Sequence, residues 1–259
     1  MLMASVSAAS AAAEVRTGHV GQPPSEAPAS RRHVRRQPDT PMSNLKLRLV
    51  TAAVGLPLVL AAVWAGGPWF LAVVLAAGMA AAWEFARLAR AAHARGARTA
   101  RWVGGGLVFV AVPLCYYLAL RAEPNGAWWV YLALLTVFAN DTAAYVTGRL
   151  IGRHRMTPRI SPNKTWEGAV GGLVAAAITP PLVSGLIGEV MFALLPLGIA
   201  IGVVAQAGDL IESAIKRKAG VKDASGLVPG HGGVLDRLDS LVLAAPLVYH
   251  YAQYWLAHT

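Results

Sequence analysis

Apolar residues are concentrated in seven long runs along this chain, and short polar segments separate the runs. The runs cover roughly 48–66, 68–86, 102–120, 127–147, 167–187, 189–208 and 238–257. Several of them approach the ~20 residues that a helix needs to cross a bilayer. The pattern therefore predicts an all-α fold, a polytopic transmembrane helix bundle of about seven helices, with eight as the alternative.

The basic residues lie almost entirely in every second connection between the runs. Seven Lys and Arg residues occur up to Arg48, and the segments 87–101, 149–164 and 216–237 hold five each. Only Arg121 lies on the other side, so that 22 of 23 basic residues share one face if the chain alternates. The positive-inside rule assigns that face to the cytoplasm. We therefore expect a multi-pass protein of the inner (cytoplasmic) cell membrane, with its N-terminus and its polar cavity on the cytoplasmic side.

The composition supports an integral membrane protein, since 56% of the residues are hydrophobic and only 14% are charged. A net charge of +10 indicates nucleic acid binding in many soluble proteins. Here the placement of the charges accounts for it, and no nucleic acid partner is expected. The single cysteine, Cys115, allows no intramolecular disulfide.

The first 41 residues differ from the rest of the chain. They are rich in Ala, Ser, Pro and Arg and show no hydrophobic periodicity, which is typical of disorder. We interpret residues 1–41 as a disordered basic leader and residues 42–259 as the transmembrane domain. A transit-type peptide and an upstream start codon preceding Met42 are the alternatives.

Two acidic residues lie within or beside apolar runs. Asp141 falls late in the fourth run and shares one helical face with Tyr145 and Arg149, which follow at i+4 and i+8. An internal Asp–Arg pair and a carboxylate that lines a cavity are both compatible with this spacing. Glu84 follows Trp83 at the end of the second run, where a solvated acid beside an interfacial Trp is ordinary. No site role is therefore expected for Glu84.

Three polar residues precede the fifth run, where Ser161, Lys164 and Thr165 lie just before a predicted helix start. Backbone N–H groups and the helix dipole at such a start bind anions. An interfacial helix start with Trp166 at the level of the lipid headgroups is the alternative. Glu167 is expected in the first turn of this helix.

A polar stripe is predicted where the sixth run ends. If the helix continues beyond the apolar residues, one face carries Asp209, Glu212, Ser213, Lys216 and Arg217. Asp236 and Asp239 lie three residues apart at the start of the last run. Carboxylates from two helices together with substrate phosphates suit a hard cation such as Mg²⁺. His231 is more typical of a hydrogen-bonding group than of a metal ligand, because the chain has no His/Cys cluster at zinc spacing.

The stretch Ser213–Asp239 resembles the signature of the phosphatidate cytidylyltransferases, or CDP-diacylglycerol synthases. The matching residues are Ser213, Lys216, Arg217, Lys222, Asp223, Pro229, His231, Gly232, Gly233, Asp236, Arg237 and Asp239. The blocks Asp141–Arg149 and Ser161–Gly168 also resemble family blocks, and the similarity extends over roughly 45–257. The region between Glu84 and Arg121 is short for the family, which affects the expected helix count.

The resemblance implies transfer of the cytidylyl group of CTP to phosphatidic acid, giving CDP-diacylglycerol and pyrophosphate. It implies Mg²⁺, with a second cation such as K⁺, and places the metal on Asp209 and Asp236. The residues expected in catalysis are Asp209, Asp236, Lys216, Arg217, Lys222 and Arg237. Those expected to bind substrate are Asp141, Ser161, Lys164, Thr165, Ser213, His231 and Asp239.

Three other functions compete with this interpretation. A CTP-dependent lipid kinase would use the same nucleotide, cation and acceptor but would transfer only phosphate. A CDP-alcohol phosphotransferase needs an Asp-Gly-x-x-Ala-Arg run, which the sequence lacks. A transporter would place its polar residues at the midplane of the membrane, whereas the polar residues of this chain cluster at one face. The expected partners are CTP, phosphatidic acid and the lipid bilayer, and the oligomeric state stays open, a homodimer included.

Overall fold

Helices dominate the computed structural model, which describes residues 41–94, 96, 99–186, 190–228 and 232–258. The α-helices are α1 Pro41–Ala65, α2 Gly67–His93, α3 Thr99–Gly106, α4 Val112–Ala122, α5 Gly126–Ile151, α6 Trp166–Gly185, α7 Leu195–Ala219 and α8 Leu235–Leu256. A π-helical turn, Leu107–Ala111, joins α3 and α4 into one continuous helical segment. Seven helical segments thus follow one another in the described residues, and the predicted all-α bundle is confirmed.

Five of these segments are long and apolar enough to cross a membrane. They are α2, the α3–α4 segment from Gly104, α5, α6, and α7 with the short 3₁₀ turn Phe192–Leu194 before it. In α1 the described apolar portion, Ala53–Ala65, is shorter. The helix α8 occupies the last predicted run but begins with charged residues, and it does not meet the same criterion of length and composition. The multi-pass membrane character is confirmed.

A small hairpin that the hydrophobic pattern did not predict links α5 to α6. Its strands, β1 Arg155–Thr157 and β2 Ser161–Thr165, pair antiparallel with Arg155 opposite Thr165 and Thr157 opposite Ser161. The strands are too short to show a period-two pattern, and β2 contains a proline, which is more typical of a loop than of a strand. The hairpin holds the residues of β2 directly in front of the first turn of α6.

Small residues bring α5, α6 and α7 into close contact. A Cβ atom on Gly168 would lie 2.7 Å from the carbonyl oxygen of Ala144, and one on Gly172 would lie 2.8 Å from Asn140 Oδ1. A Cβ atom on Gly198 of α7 would lie 2.2 Å from the carbonyl oxygen of Ala176. These small residues let the helix backbones approach closely.

Arg121, the one basic residue outside the predicted cytoplasmic group, has a structural role at the end of α1. Its Nε donates to the carbonyl oxygen of Val63 at 2.8 Å, and its Nη2 donates to that of Trp64 at 3.3 Å. The last carbonyl groups of a helix lack intrahelical partners, and an arginine satisfies them well. This role explains an isolated positive charge on that side of the bundle.

Two predicted features lie outside the described residues. The leader predicted for residues 1–41 does so except at Pro41, where α1 begins, and the division at residue 41 therefore stays a prediction. His231 also lies outside the described residues.

Candidate active site

The ends of α5, α6, α7 and α8 enclose a polar cavity of about 700 Å³ together with the β-hairpin. This volume lies within the ~300–1,000 Å³ that is usual for small-molecule sites. Its lining includes eight of the residues that the sequence predicts for the site: Asp141, Lys164, Thr165, Asp209, Lys216, Asp236, Arg237 and Asp239. Residues that are separated by up to about a hundred positions in the chain therefore meet at one place.

Four further predicted residues do not line this cavity. Ser161 begins β2, and Ser213 donates its hydroxyl to Asp209 Oδ1 at 3.3 Å. The exposed Arg217 donates from Nε to the carbonyl oxygen of Ile160 at 3.1 Å and from Nη1 to that of Val221 at 3.2 Å. Lys222 is exposed in the segment after α7.

The predicted polar stripe of α7 is present because the helix continues to Ala219, well beyond its apolar portion. Asp209 on this stripe forms an ion pair with Lys164 of β2, with 2.7 Å between Lys164 Nζ and Asp209 Oδ2. This contact joins the hairpin to α7 across the cavity. It also places a lysine next to one of the two carboxylates predicted to bind metal.

Lys216, one turn from the end of α7, connects two acids. Its Nζ lies 2.5 Å from Glu212 Oε2 and 2.7 Å from Asp236 Oδ1. Glu212 is fully buried. A buried carboxylate is stable only when a cation or hydrogen-bond donors compensate its charge, and Lys216 supplies that compensation.

Asp236 accepts hydrogen bonds from the backbone as well as from Lys216. The N–H of Gly233 donates to its Oδ2 at 2.8 Å, and the N–H of Ala224 lies 3.3 Å from the same oxygen. Gly232, immediately before, has a φ of 89°, a conformation that favours glycine. The two glycines of the signature therefore shape the turn that presents Asp236 to the cavity.

Two further carboxylate contacts complete the acidic side of the cavity. Asn140 Nδ2 donates to Asp141 Oδ1 at 2.9 Å, and the backbone N–H of Ser240 donates to Asp239 Oδ1 at 2.7 Å. Asp141 and Asp239 lie close enough to Asp209 to repel it electrostatically. Like charges gathered in this way favour the binding of a cation between them.

The predicted face of Asp141, Tyr145 and Arg149 lines the cavity. Arg149 Nη1 donates to the hydroxyl of Tyr145 at 3.0 Å, and no ion pair in the described part of the chain joins Asp141 to Arg149. Of the two alternatives that the spacing left open, the structure therefore supports the carboxylate that lines a cavity.

The side chain of Thr165 caps the start of α6. The Thr165 hydroxyl accepts from the N–H of Gly168 at 3.1 Å, and Glu167 occupies the first turn. Glu167 Oε1 lies 2.6 Å from His154 Nδ1, which ties the hairpin to the helix. Trp166 is exposed, as the interfacial alternative requires. The helix start thus places an exposed Trp next to Thr165, which lines the cavity.

Two polar residues were not recognised from the sequence as part of this region. Gln206 lies inside the sixth apolar run, and its Nε2 donates to Asn140 Oδ1 and to the carbonyl oxygen of Ala169, both at 3.0 Å. A lone amide in an apolar run was the available signal. Glu84 was expected to be solvated, and this expectation is wrong, because its side chain is fully buried against the start of α8.

The chemistry of the lining fits a hard cation. Five carboxylates line the cavity against four cationic side chains, and carboxylate oxygens are the donors that Mg²⁺ prefers. Within the described residues no group of three His, Cys, Asp or Glu side chains is arranged to hold a metal ion. A Mg²⁺ ion held here would therefore take one or two protein carboxylates and complete its coordination with water and substrate phosphates.

The fold and the cavity define a multi-pass helical membrane protein with a carboxylate-rich site at one end of its helices. Residues 96–255 match the model of the cytidylyltransferase family. The phosphatidate cytidylyltransferase of Brucella suis biovar 1 is 34% identical over 251 aligned positions, which cover 80% of this chain and 93% of that protein. That of Staphylococcus saprophyticus is 41% identical over 144 positions, which cover 55% of each chain. The chain therefore belongs to the cytidylyltransferase family, and it is a nucleotidyltransferase.

Proposed function

We propose that this protein transfers the cytidylyl group of CTP to phosphatidic acid in the cavity between α5, α6, α7 and α8. The products are CDP-diacylglycerol, an intermediate of phospholipid synthesis, and pyrophosphate. The observation that supports this function best is the convergence of eight predicted site residues on one cavity at the ends of apolar helices. A lipid phosphate and a soluble nucleotide can both reach a site in that position.

The proposed reaction is an in-line displacement at phosphorus. A phosphate oxygen of phosphatidic acid forms a bond to the α-phosphorus of CTP, and the bond from that phosphorus to the α,β-bridging oxygen breaks. Pyrophosphate leaves with the electron pair of the broken bond. The nucleophile is already an anion near neutral pH, so that catalysis depends on positioning and on compensation of charge.

The cationic lining residues are suited to hold the phosphates. Lys164 and Arg149 lie on the side of the hairpin and α5, and we assign the lipid phosphate to this side, with Thr165 and Ser161 at the helix start. Lys216 and Arg237 lie on the side of α7 and α8, and we assign the triphosphate and the leaving pyrophosphate to them. Arginine binds phosphate oxygens in pairs, which fixes their orientation.

Two predicted cations lie farther out. Arg217 and Lys222 are exposed and do not line the cavity, and we assign them to the approach of the triphosphate from solvent. Ser213 supports Asp209 through its hydroxyl. His231, Asp141 and Asp239 are assigned to nucleotide binding or to support of the cavity.

Asp209 and Asp236 are the residues that we propose to hold Mg²⁺, with K⁺ as a second cation. The bound ion would neutralise phosphate charge and stabilise the charge that develops on the leaving oxygen. Each of these carboxylates also contacts a lysine, Lys164 or Lys216, at 2.7 Å. These lysines keep the acids compensated and oriented toward the cavity.

The orientation that we propose places the cavity and the N-terminus on the cytoplasmic side of the inner membrane. The asymmetric distribution of basic residues supports it, because 22 of 23 fall on that side when the seven segments alternate. CTP is then available on the side where the site opens. We propose no nucleic acid partner, and a homodimer is compatible with this arrangement.

The function is tested with purified protein in detergent, phosphatidic acid, Mg²⁺ and CTP labelled in the cytosine ring. We expect the label in the extracted lipid, and we expect EDTA to abolish its incorporation and added Mg²⁺ to restore it. If CTP labelled in the γ-phosphate labels the lipid while CTP labelled in the cytosine ring does not, the protein is a lipid kinase instead. Absence of both labels from the lipid would contradict the proposed function, and EDTA-resistant transfer would contradict the metal assignment.

Replacement of Arg237 tests the assignment of the triphosphate. We expect Arg237→Gln to raise the KM for CTP by about 10–150-fold, because a charge-assisted hydrogen bond to phosphate contributes roughly 1.5–3 kcal/mol. The matched variant Arg217→Gln removes the same charge outside the cavity and is expected to raise KM less. Steady-state kinetics with varied CTP measures both values. A larger increase for Arg217→Gln would reverse the assignment of the two arginines.

A further inference from the structure

Glu84, in the C-terminal half of α2, is a buried acid that does not line the cavity. Its Oε1 accepts from the backbone N–H of Val234 at 3.0 Å, and its Oε2 accepts from that of Leu235 at 2.6 Å. The hydroxyl of Ser225 also donates to Oε1 in a short hydrogen bond. All three donors belong to the segment that connects α7 to the first residue of α8.

These contacts satisfy a requirement of α8 that its own sequence does not meet. The first N–H groups of a helix have no intrahelical partner, and a side chain at the N-cap usually accepts from one of them. The N-cap of α8 is Val234, whose side chain accepts no hydrogen bond. Glu84 supplies the missing acceptor from another helix, and its negative charge is favourable at the positive end of the helix dipole.

Gly233 lies between this cap and the cavity. Its N–H donates to Asp236 Oδ2 at 2.8 Å, whereas a Cβ atom at this position would lie 2.7 Å from both carboxylate oxygens of Glu84. Three successive N–H groups are thus divided between two carboxylates: that of Gly233 binds Asp236, and those of Val234 and Leu235 bind Glu84. Any shift of the helix start would disturb both sets of contacts.

We propose that Glu84 is a positioning residue for the transfer reaction. It anchors the start of α8 to α2 and thereby fixes the Asp236 carboxylate in the cavity. This inference rests on the proposed role of Asp236. Without the Glu84 carboxylate, the buried N–H of Leu235, the N–H of Val234 and the hydroxyl of Ser225 lose their acceptor. The turn that presents Asp236 then loses its attachment to α2.

The test compares Glu84→Gln with Ser225→Ala and with the control Glu123→Gln, which changes a residue between α4 and α5 away from the cavity. Glutamine keeps the size of the side chain but has one acceptor oxygen in place of two. We expect Glu84→Gln to lower kcat by about 10–100-fold, as is usual for residues that orient a functional ligand. We expect the KM for phosphatidic acid to stay within about twofold, because the hairpin and α6 are untouched.

Hydrogen exchange followed by mass spectrometry provides the measurement that a general loss of stability would not reproduce. In Glu84→Gln we expect faster exchange confined to the amides of residues 233–235. Ser225→Ala removes one of the three donors to Glu84, and it is expected to change kcat and exchange in the same direction but less. Glu123→Gln is expected to match the wild-type protein in both.

A kcat of Glu84→Gln within about twofold of the wild-type value would overturn the proposal, and so would a lower kcat with unchanged exchange at residues 233–235. If Glu84→Gln does not fold in detergent, Ser225→Ala decides by the same two measurements. An active Asp236→Asn enzyme would remove the functional basis of the proposal, whereas unchanged exchange in Glu84→Gln would remove the cap. The two failures are therefore distinguishable.

Discussion

Asp236→Asn is expected to lower kcat for CDP-diacylglycerol formation by about 10²–10³-fold, the usual loss when a preorganised electrostatic group is removed from a transition state. The variant keeps the size of the side chain but removes its charge. It loses the ion pair with Lys216, whose Nζ lies 2.7 Å from Asp236 Oδ1 in the wild-type protein. It also weakens the binding of any cation at this position. Its amide nitrogen cannot accept a hydrogen bond, whereas the Asp236 carboxylate accepts from the backbone N–H groups of Gly233 and Ala224.

The measurement is the initial rate of cytidylyl transfer in detergent at saturating CTP and phosphatidic acid. Glu123→Gln provides the control, since it also neutralises one acid but lies away from the cavity. Membrane insertion of Asp236→Asn, followed by fractionation, should equal that of the wild-type protein. Near-normal turnover in the inserted variant would contradict the role that we assign to Asp236.

Lys216→Met is expected to lower the free energy of unfolding by about 3–5 kcal/mol, the usual cost of removing one partner from a buried ion pair. Methionine fills a similar volume, so that the loss reports on charge. The ammonium of Lys216 lies between Glu212, which is fully buried, and Asp236. Its removal leaves a buried carboxylate uncompensated. Thermal unfolding in detergent and denaturant titration measure the change.

A second substitution separates charge from packing. In Lys216→Met with Glu212→Gln, a neutral amide replaces the uncompensated carboxylate, and we expect most of the lost stability to return. Asp236 still accepts from two backbone N–H groups in that background. A double variant as unstable as Lys216→Met alone would show that Lys216 stabilises the fold through its packing, and the argument from the buried ion pair would fail.

Much of the site could be predicted because local spacing determines it. Asp209, Glu212, Ser213 and Lys216 recur at helical intervals, so that a helix which continues past its apolar portion must place them on one face. The resemblance of Ser213–Asp239 to a family signature added the reaction, and the family match supports it. Neither source determined which lysine pairs with which acid.

The interpretation of Glu84 failed for an identifiable reason. Its neighbour Trp83 is exposed, as expected at an interface, but the next residue on a helix points about 100° away. Glu84 therefore faces the interior, where its partners come from a segment about 150 positions later in the chain. No periodicity within the second run reveals such a partner.

The hydrophobic pattern was sufficient for the number and order of the helices and for the membrane character of the chain, because a helix that crosses a bilayer must satisfy its backbone internally and show apolar side chains to lipid. These are properties of consecutive residues. The hairpin before α6, the pairing of Lys164 with Asp209 and the capping of α8 by Glu84 depended on the packing of distant segments. Such contacts are selected by the geometry of close helix packing and by the cost of leaving a buried polar group unpaired, and neither can be calculated from one segment alone.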